Sequence, residues 1–433
     1  MRPAQLPGAE GLPSPNLPPV LLPVLLPLRQ AVPVFMCFAF AYFLSALVRA
    51  VTATLAPQFS AELQLGSGDL GLLAGAYFFG FAAMQLPLGS ALDRFGPRRV
   101  LLTLLVVAVV GCAAFAMARS FLGLTLARGL IGMGVSACLM APMTLFRRSF
   151  SPVAQMRANA WMLMAGSLGM VASTLPVQWL LPWLGWRGLF WGVAGLVGLS
   201  LMGIAWRVPQ DGPVRQHPGA VAQGYAAVFR HPTFVRFAPM GFFQYGGLVA
   251  VQSLWAGPWL VRVCGWTPAE SAQGLFGVNV GMLLAFMAWG AVLPRLYRRG
   301  WTAQRLVALG MPLSMAVLVL AIALGPRATA WCWGLFCVTS TVVSLSQPAI
   351  GQAFASHLAG RALSAYNLAI FSGVFALQWG IGLVIDAFRA RGWSDVSAFR
   401  GAFALFAVCC TLSYLWFLCR DDGAVQAEPK ISS

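Results

Sequence analysis

The chain has 433 residues, of which 59% are hydrophobic and only 9% charged, and its mean hydropathy is +0.78. That balance lies far outside ordinary soluble domains and points to a polytopic membrane protein. The formal charge of +17 does not signal a nucleic-acid partner, because the cations fall in short loops between apolar runs.

Taken in chain order, residues 1–32 read as a tail, since the apolar stretch Pro18 to Leu28 is broken by Pro18, Pro19, Pro23 and Pro27. Twelve apolar runs then follow, at 33–56, 69–92, 99–118, 120–146, 158–182, 187–206, 234–260, 268–293, 303–324, 328–349, 363–386 and 399–419. Each is long enough to cross a bilayer as a helix. The one long polar interruption, 207–233, carries Pro209, Asp211, Gly212, Pro213, Pro218 and Gly219 and reads as a linker. The expected fold is therefore an all-α membrane protein with six spans at 33–206, six at 234–419 and a second tail at 420–433. With both ends on one side, 19 of the 28 Lys and Arg residues fall on that side, 7 on the other and 2 inside spans. The positive-inside rule then predicts cytoplasmic termini.

The two cations inside spans carry the functional expectation. Arg49 lies in the first run and Arg128 in the fourth, with no membrane-central Asp, Glu, Lys or His beside either. A charged side chain at the bilayer centre costs about 2.5–3.5 kcal/mol on insertion scales, so such residues mark function or a structural brace. Held in this way, Arg49 suits a negatively charged ligand. The other reading is a structural cation satisfied by backbone carbonyls or snorkelling outward.

An internal repeat supports the two halves. Gly89, Arg94 and Arg98 close the second span, and Gly290, Arg295 and Arg299 recur at one constant offset at the end of the eighth. Tyr42 and Arg49 in the first span are echoed by Tyr245 and Gln252 in the seventh, with the same spacing. The loop Gly89-x3-Asp93-Arg94-x-Gly96-x-Arg98-Arg99, the Arg128-Gly129 motif of the fourth span and Gly185-Trp186-Arg187-Gly188 at the sixth resemble the pattern of the major facilitator superfamily. That resemblance implies two pseudo-symmetric six-helix bundles working by alternating access. It also implies a loop that holds the halves together on the cytoplasmic side, meeting the start of the eleventh span near Ala362, and an Arg128 that braces spans one and four or binds substrate. Independently of the resemblance, Gly96 permits a tight turn and Asp93 at a helix end can face the positive N-terminus of another helix.

Within the superfamily, an Arg on span one preceded by Tyr is similar to the organic-anion and organophosphate branches, a resemblance that implies a bidentate, charge-assisted contact from Arg49 to the anion with Tyr42 donating beside it. Gln252, where those branches often carry a second basic residue, favours a singly charged substrate. The fifth span lacks the Gly-Pro dipeptide that marks proton-driven drug antiporters, and the first lacks an intramembrane carboxylate; Glu62 and Asp69 read as an external loop and a helix start.

A cavity between the halves is expected to be lined by Gln244, Tyr245, Gln252 and Trp255 on span seven and by Asn367 and Gln378 on span eleven, with Thr339, Ser340, Ser344 and Gln347 on span ten. Each could equally be interhelical glue. Glycines such as Gly71, Gly75, Gly277, Gly380 and Gly382 offer close helix faces, and Trp183, Trp186, Trp206, Trp259, Trp266, Trp301 and Trp393 suit interfacial anchoring. The nine cysteines sit in or at the ends of apolar runs and His217, His231 and His357 in loops, so no metal or cofactor is expected. The expectation is a monomeric carrier of a small organic anion in a bacterial inner membrane, not an enzyme, with drug or metabolite efflux and a non-transporting sensor as the competing functions.

Overall fold

The structure is a computed structural model that describes residues 27–210 and 221–420. Of the expected tails at 1–32 and 420–433, residues 1–26 and 421–433 lie outside the described residues, as does the middle of the linker with Asp211, Pro218 and His217. Residues 28–32 belong to the first helix instead of the tail, because Pro33 is tolerated inside it.

The first span is one 36-residue helix, Leu28–Leu63, stopped where Gln64 turns left-handed at φ 54°. Two shorter helices make the second span, Ser67–Ala83 and Gln85–Phe95, bent by 43°. Gly96, at φ 86°, then turns the chain straight into the third span, Pro97–Met117, with Pro97 at the first helical position. That is the turn expected of the loop glycine. Ser120 caps the fourth span, Phe121–Val135 continued by Met140–Ser149. The fifth and sixth spans meet at Gly185, whose φ of 62° and ψ of 170° break the apparent helix Leu175–Arg207. Its first part extends Pro152–Ala172 into the fifth span, and the part after Gly185 is the sixth.

The polar linker ends in a helix of its own, Val221–Arg230. The seventh span is continuous from Pro232 to Arg262 but is interrupted by two π-helical stretches, Gly241–Tyr245 and Val251–Trp255. Pro268–Arg298 and Ala303–Leu324 are the eighth and ninth spans. The tenth runs Ala330–Ser340, a 3-10 stretch Thr341–Leu345 and Ser346–Ala353; Ser356–Ala390 and Asp395–Cys419 complete the set.

Nine helices among the described residues are long and apolar enough to cross a membrane on their own, or ten when the bent pair counts as one span. The seventh is not among them because π turns divide it, and the fifth because its helix Pro152–Ala172, with Gln155, Arg157 and Asn159, is less apolar and ends at Ser173. Both described chain ends, near Leu28 and Cys419, lie on one face of the twelve-span body, which we call the termini face; its opposite is the far face.

The surface inverts the rule for water-soluble proteins. Trp183 and Trp206 are 86% and 89% exposed, and Leu309, Leu313 and Leu412 also point outward, as helices facing hydrocarbon must. Not every expected anchor does so. Trp259 is fully buried against Trp333 and Phe403, and Trp186 is only 5% exposed, packed edge-on to Phe59 and Phe115. Both are core residues, because their rings complete aromatic clusters inside one bundle or the other.

Spans two and eleven join the two halves along their length. A Cβ at Gly71 would strike the Gln378 carbonyl and one at Gly382 the Ser67 carbonyl, so the backbones themselves touch. Gly277 and Gly380, expected to serve similarly, have nothing within 4 Å of a Cβ; their small faces point away from any helix.

Candidate functional site

Arg49 sits at mid-span between the halves and is half-buried. Its Nη2 donates to the Met170 thioether on span five at 3.7 Å, and that sulfur also receives the Gln252 Nε2 of span seven at 3.6 Å. Gln252 gives its other N–H to Asn279 Oδ1 on span eight at 2.8 Å, and Asn279 is itself held by the Leu275 carbonyl. Arg49 is also within electrostatic reach of Tyr77 and Tyr245, and Tyr245 of Tyr42. Tyr42 lies flat against Gly166, where any side chain would collide with its ring. Spans one, five, seven and eight thus bring Tyr42, Arg49, Met170, Tyr245, Gln252 and Asn279 together around one cation. Among the described residues, no carboxylate pairs with it.

Arg128 is differently placed. It is 1% exposed, donates to Thr52 Oγ1 on span one and stacks over Tyr77 of span two at 5.3 Å from the ring centroid. Its Nε and Nη1 are buried with no hydrogen-bond partner among the described residues. Thr52 lies one turn beyond Arg49, so the two guanidinium groups flank a common stretch of span one.

Other expected cavity residues are dispersed. Gln244 donates to the Cys410 carbonyl of span twelve at 3.0 Å and is turned into its own bundle. Trp255 donates to the Gln378 carbonyl at 3.2 Å, and Gln378 Nε2 to Ser253 Oγ at 3.0 Å, which places these three toward the far face. Asn367 accepts from Gln347 at 2.9 Å on the side of the termini face. Asn367 and Gln378 share a helix face but are separated by roughly 16 Å of rise, so no single ligand of small size spans both. Ser340 bonds Ser314, and Thr339 returns to its own helix.

The loop after span two forms a joint at the termini face. Gly89 stands near Ser364 Oγ of span eleven and the Tyr225 hydroxyl of the linker helix, at 3.9 and 3.7 Å from its would-be Cβ. Tyr225 donates to the Leu86 carbonyl at 3.3 Å and lies in the electrostatic field of Asp93 and Arg361. Arg98 donates to the Ala205 carbonyl of span six at 2.6 Å, and Arg94 covers the Phe95 ring.

At the far face the halves are clasped. Asp386, at the end of span eleven, accepts from the backbone N–H of Ser67 at 3.0 Å and of Gly68 at 2.6 Å, the first residues of span two. Arg389 bonds Ser67 Oγ at 2.7 Å, Asp395 at 2.8 Å and Asp386 at 3.4 Å. Spans one and seven close the same side, since a Cβ at Gly257 would lie 2.7 Å from the Ala53 carbonyl. A shallow recess of about 290 Å³ remains above this closure, lined by Pro57, Ser60, Trp255, Arg262 and Phe399 among others.

The family model of the Major Facilitator Superfamily matches residues 38–377. This chain belongs to the major facilitator superfamily. Its fold is shared with a D-xylose-proton symporter, at TM-score 0.71 and 15% identity over 90% of this chain and 98% of that one. A bacterial homolog of the human lysosomal transporter Spinster, in an inward-facing and occupied conformation, aligns at TM-score 0.71 and 17% identity, covering 90% and 96%.

Curated relatives in the superfamily include a cis,cis-muconate transport protein of Acinetobacter baylyi, 25% identical over 55% of this chain and 60% of its own length. A 3-(3-hydroxy-phenyl)propionate transporter of Escherichia coli is 26% identical over 59% and 62%, and a probable sulfoacetate transporter of Cupriavidus necator 33% identical over 22% of each. The matched stretch covers less than two thirds of each of these relatives.

Three contacts escaped the sequence reading of this superfamily member. Met170 looked like one apolar residue among many, and only its position opposite Arg49 distinguishes it. Asp386 caps span two from the far end of span eleven, a contact that nothing near it in sequence announces. Glu62 was assigned to a loop, yet it belongs to the last turn of the first helix, where it accepts from Trp186 Nε1 at 2.5 Å and pairs with Arg187. That contact gives the Gly185-Trp186-Arg187 motif a role in fastening span six to span one.

Proposed function

We propose that the protein is a secondary transporter that moves a small organic anion across a bacterial inner membrane by alternating access, with both termini in the cytoplasm and a single chain as the working unit. The observation that carries this reading is Arg49, a mid-span guanidinium between the halves whose hydrogen-bonding partner is a thioether rather than a carboxylate. A cation so placed has strong, unsatisfied attraction for a negative group in a low-dielectric surrounding, and binding sites of such carriers lie near the midplane between the repeats.

The relatives support the substrate class, since their names specify muconate, sulfoacetate and hydroxyphenylpropionate transport. Tyr42, Tyr245 and Gln252 complete the ligand shell in this proposal, and Arg128, with its bond to Thr52, braces spans one, two and four beneath it. The contacts at the far face, Asp386 to span two and Gly257 to Ala53, support an inward-facing state in which the anion site is reached from the cytoplasm.

Reconstituted into vesicles, the protein is expected to catalyse counterflow of 3-(3-hydroxy-phenyl)propionate or a related monocarboxylate, and Arg49→Gln to lose at least tenfold in flux. Equal flux in the variant, or movement of lipophilic cations instead, would sink the anion assignment. A monocarboxylate preferred over a dianion is the expected selectivity, because one unpaired cation balances one negative charge.

A further inference from the structure

Two N–H donors, one from each half, converge on a single sulfur. Arg49 Nη2 on span one and Gln252 Nε2 on span seven approach Met170 Sδ at 3.7 and 3.6 Å. Gln252 is fixed in this direction, because Asn279 Oδ1 takes its other hydrogen at 2.8 Å and the Leu275 carbonyl fixes Asn279. A thioether is a weak acceptor, and in a low-dielectric interior neither donor is well served by it.

We propose that Met170 is a resident competitor of the substrate, holding the place of the anion's oxygen between Arg49 and Gln252 and setting how tightly the site takes its ligand. The inference rests on Arg49 being the anion ligand. Methionine suits the role physically: it is unbranched, has three rotatable bonds and is half-buried here, so it can leave without disturbing a packed core. An oxyanion that displaces it inherits both donors.

The exchange also couples binding to movement. Charge-assisted N–H···O contacts close to about 2.7–2.9 Å, shorter than either present contact to sulfur. An anion in this place therefore draws span one and span seven toward each other, one from each half, which is the motion that shuts a site between two bundles. A cationic ligand is repelled by Arg49, and a neutral acceptor gains a weaker hydrogen bond from it than an oxyanion does.

A test that needs no knowledge of the natural substrate uses Met170→Glu in the full-length protein in lipid nanodiscs. The new carboxylate is expected to reach Arg49 and raise the melting temperature, and the gain is expected to vanish in the Arg49→Gln background. Equal effects of Met170→Glu in both backgrounds would overturn the placement. Titration with 3-(3-hydroxy-phenyl)propionate supplies the second arm: Met170→Leu keeps the volume but removes the acceptor, and tighter binding by about two- to tenfold is expected. Unchanged affinity in Met170→Leu, with binding still lost in Arg49→Gln, would refute the competitor while leaving the anion site standing. Unchanged affinity in Arg49→Gln would remove the site itself.

Discussion

Asp386 closes the N-terminus of the second span from the end of the eleventh, accepting from Gly68 N–H at 2.6 Å and from Ser67 N–H at 3.0 Å. A carboxylate there satisfies two helix-end donors that have no partner of their own and opposes the positive end of the helix dipole. The contact crosses between the halves, so it exists only while the far face is shut. Asp386→Ala is expected to shift the protein toward far-face opening by roughly 1 kcal/mol, about fivefold, given the partial exposure of the carboxylate. The measurement is the labelling rate, from the far side, of a cysteine introduced as Ala56→Cys in a background without reactive cysteines. An unchanged rate would show that the clasp does not hold the gate.

Arg49 and Arg128 are expected to separate by readout. Arg128 is fully buried and ties Thr52 to the Tyr77 ring, so Arg128→Ala removes packing and leaves Thr52 without its donor. The cavity left by the side chain and the unsatisfied hydroxyl cost about 2–5 kcal/mol, and the melting temperature falls along with flux. Arg49→Gln keeps a polar side chain in a half-buried position and is expected to lose flux with little change in melting temperature. Similar thermal losses in both variants would make Arg49 a brace as well.

Glu62 is predicted to stabilise the fold through Trp186 more than through Arg187. The Arg187 pair is 39% and 43% exposed on its two sides, and exposed pairs contribute about 0–1 kcal/mol. Trp186, in contrast, is buried and donates its only N–H to Glu62. Glu62→Ala leaves that donor unmatched, at a cost of about 1–3 kcal/mol, whereas Arg187→Ala is expected to cost less than half as much. Thermal unfolding of the two variants in one detergent decides between them, and equal losses would contradict the ranking.

Much of the architecture could be read from the chain because membrane spans are specified locally. Twenty apolar residues and a few flanking arginines suffice, and Gly96 announces its turn through the one residue type that tolerates φ 86°. Arg49 was equally visible, since a cation in an apolar run stands out without any tertiary knowledge. What could not be read are the partners. Seven residues separate Tyr245 from Gln252, but the π stretches on span seven change the helical phase, and Gln244 consequently turns to span twelve. Whether a Trp anchors at the membrane surface or fills a core depends on which helix lies beside it, as Trp206 and Trp259 demonstrate. Asp386 and Ser67 are joined only through the packing of two distant spans, and nothing local to either residue records it.

Gly382 and Gly380 provide the sharpest test of that packing, because they differ by half a helical turn and have opposite surroundings. A Cβ on Gly382 would collide with the Ser67 carbonyl and crowd Gly68 Cα, whereas one on Gly380 meets nothing within 4 Å. Backbone cannot retreat as a flexible side chain can, so Gly382→Ala must separate spans two and eleven at the far face. That separation also stretches the Asp386 contacts to Ser67 and Gly68. Overpacking of this kind costs about 1–3 kcal/mol, and the variant is expected to melt lower and to label faster at Ala56→Cys. Gly380→Ala is expected to be neutral or slightly stabilising, since alanine is the better helix former by about 1 kcal/mol. If the two alanine variants behave alike in both assays, spans two and eleven are not in contact as described, and the far-face clasp loses its support.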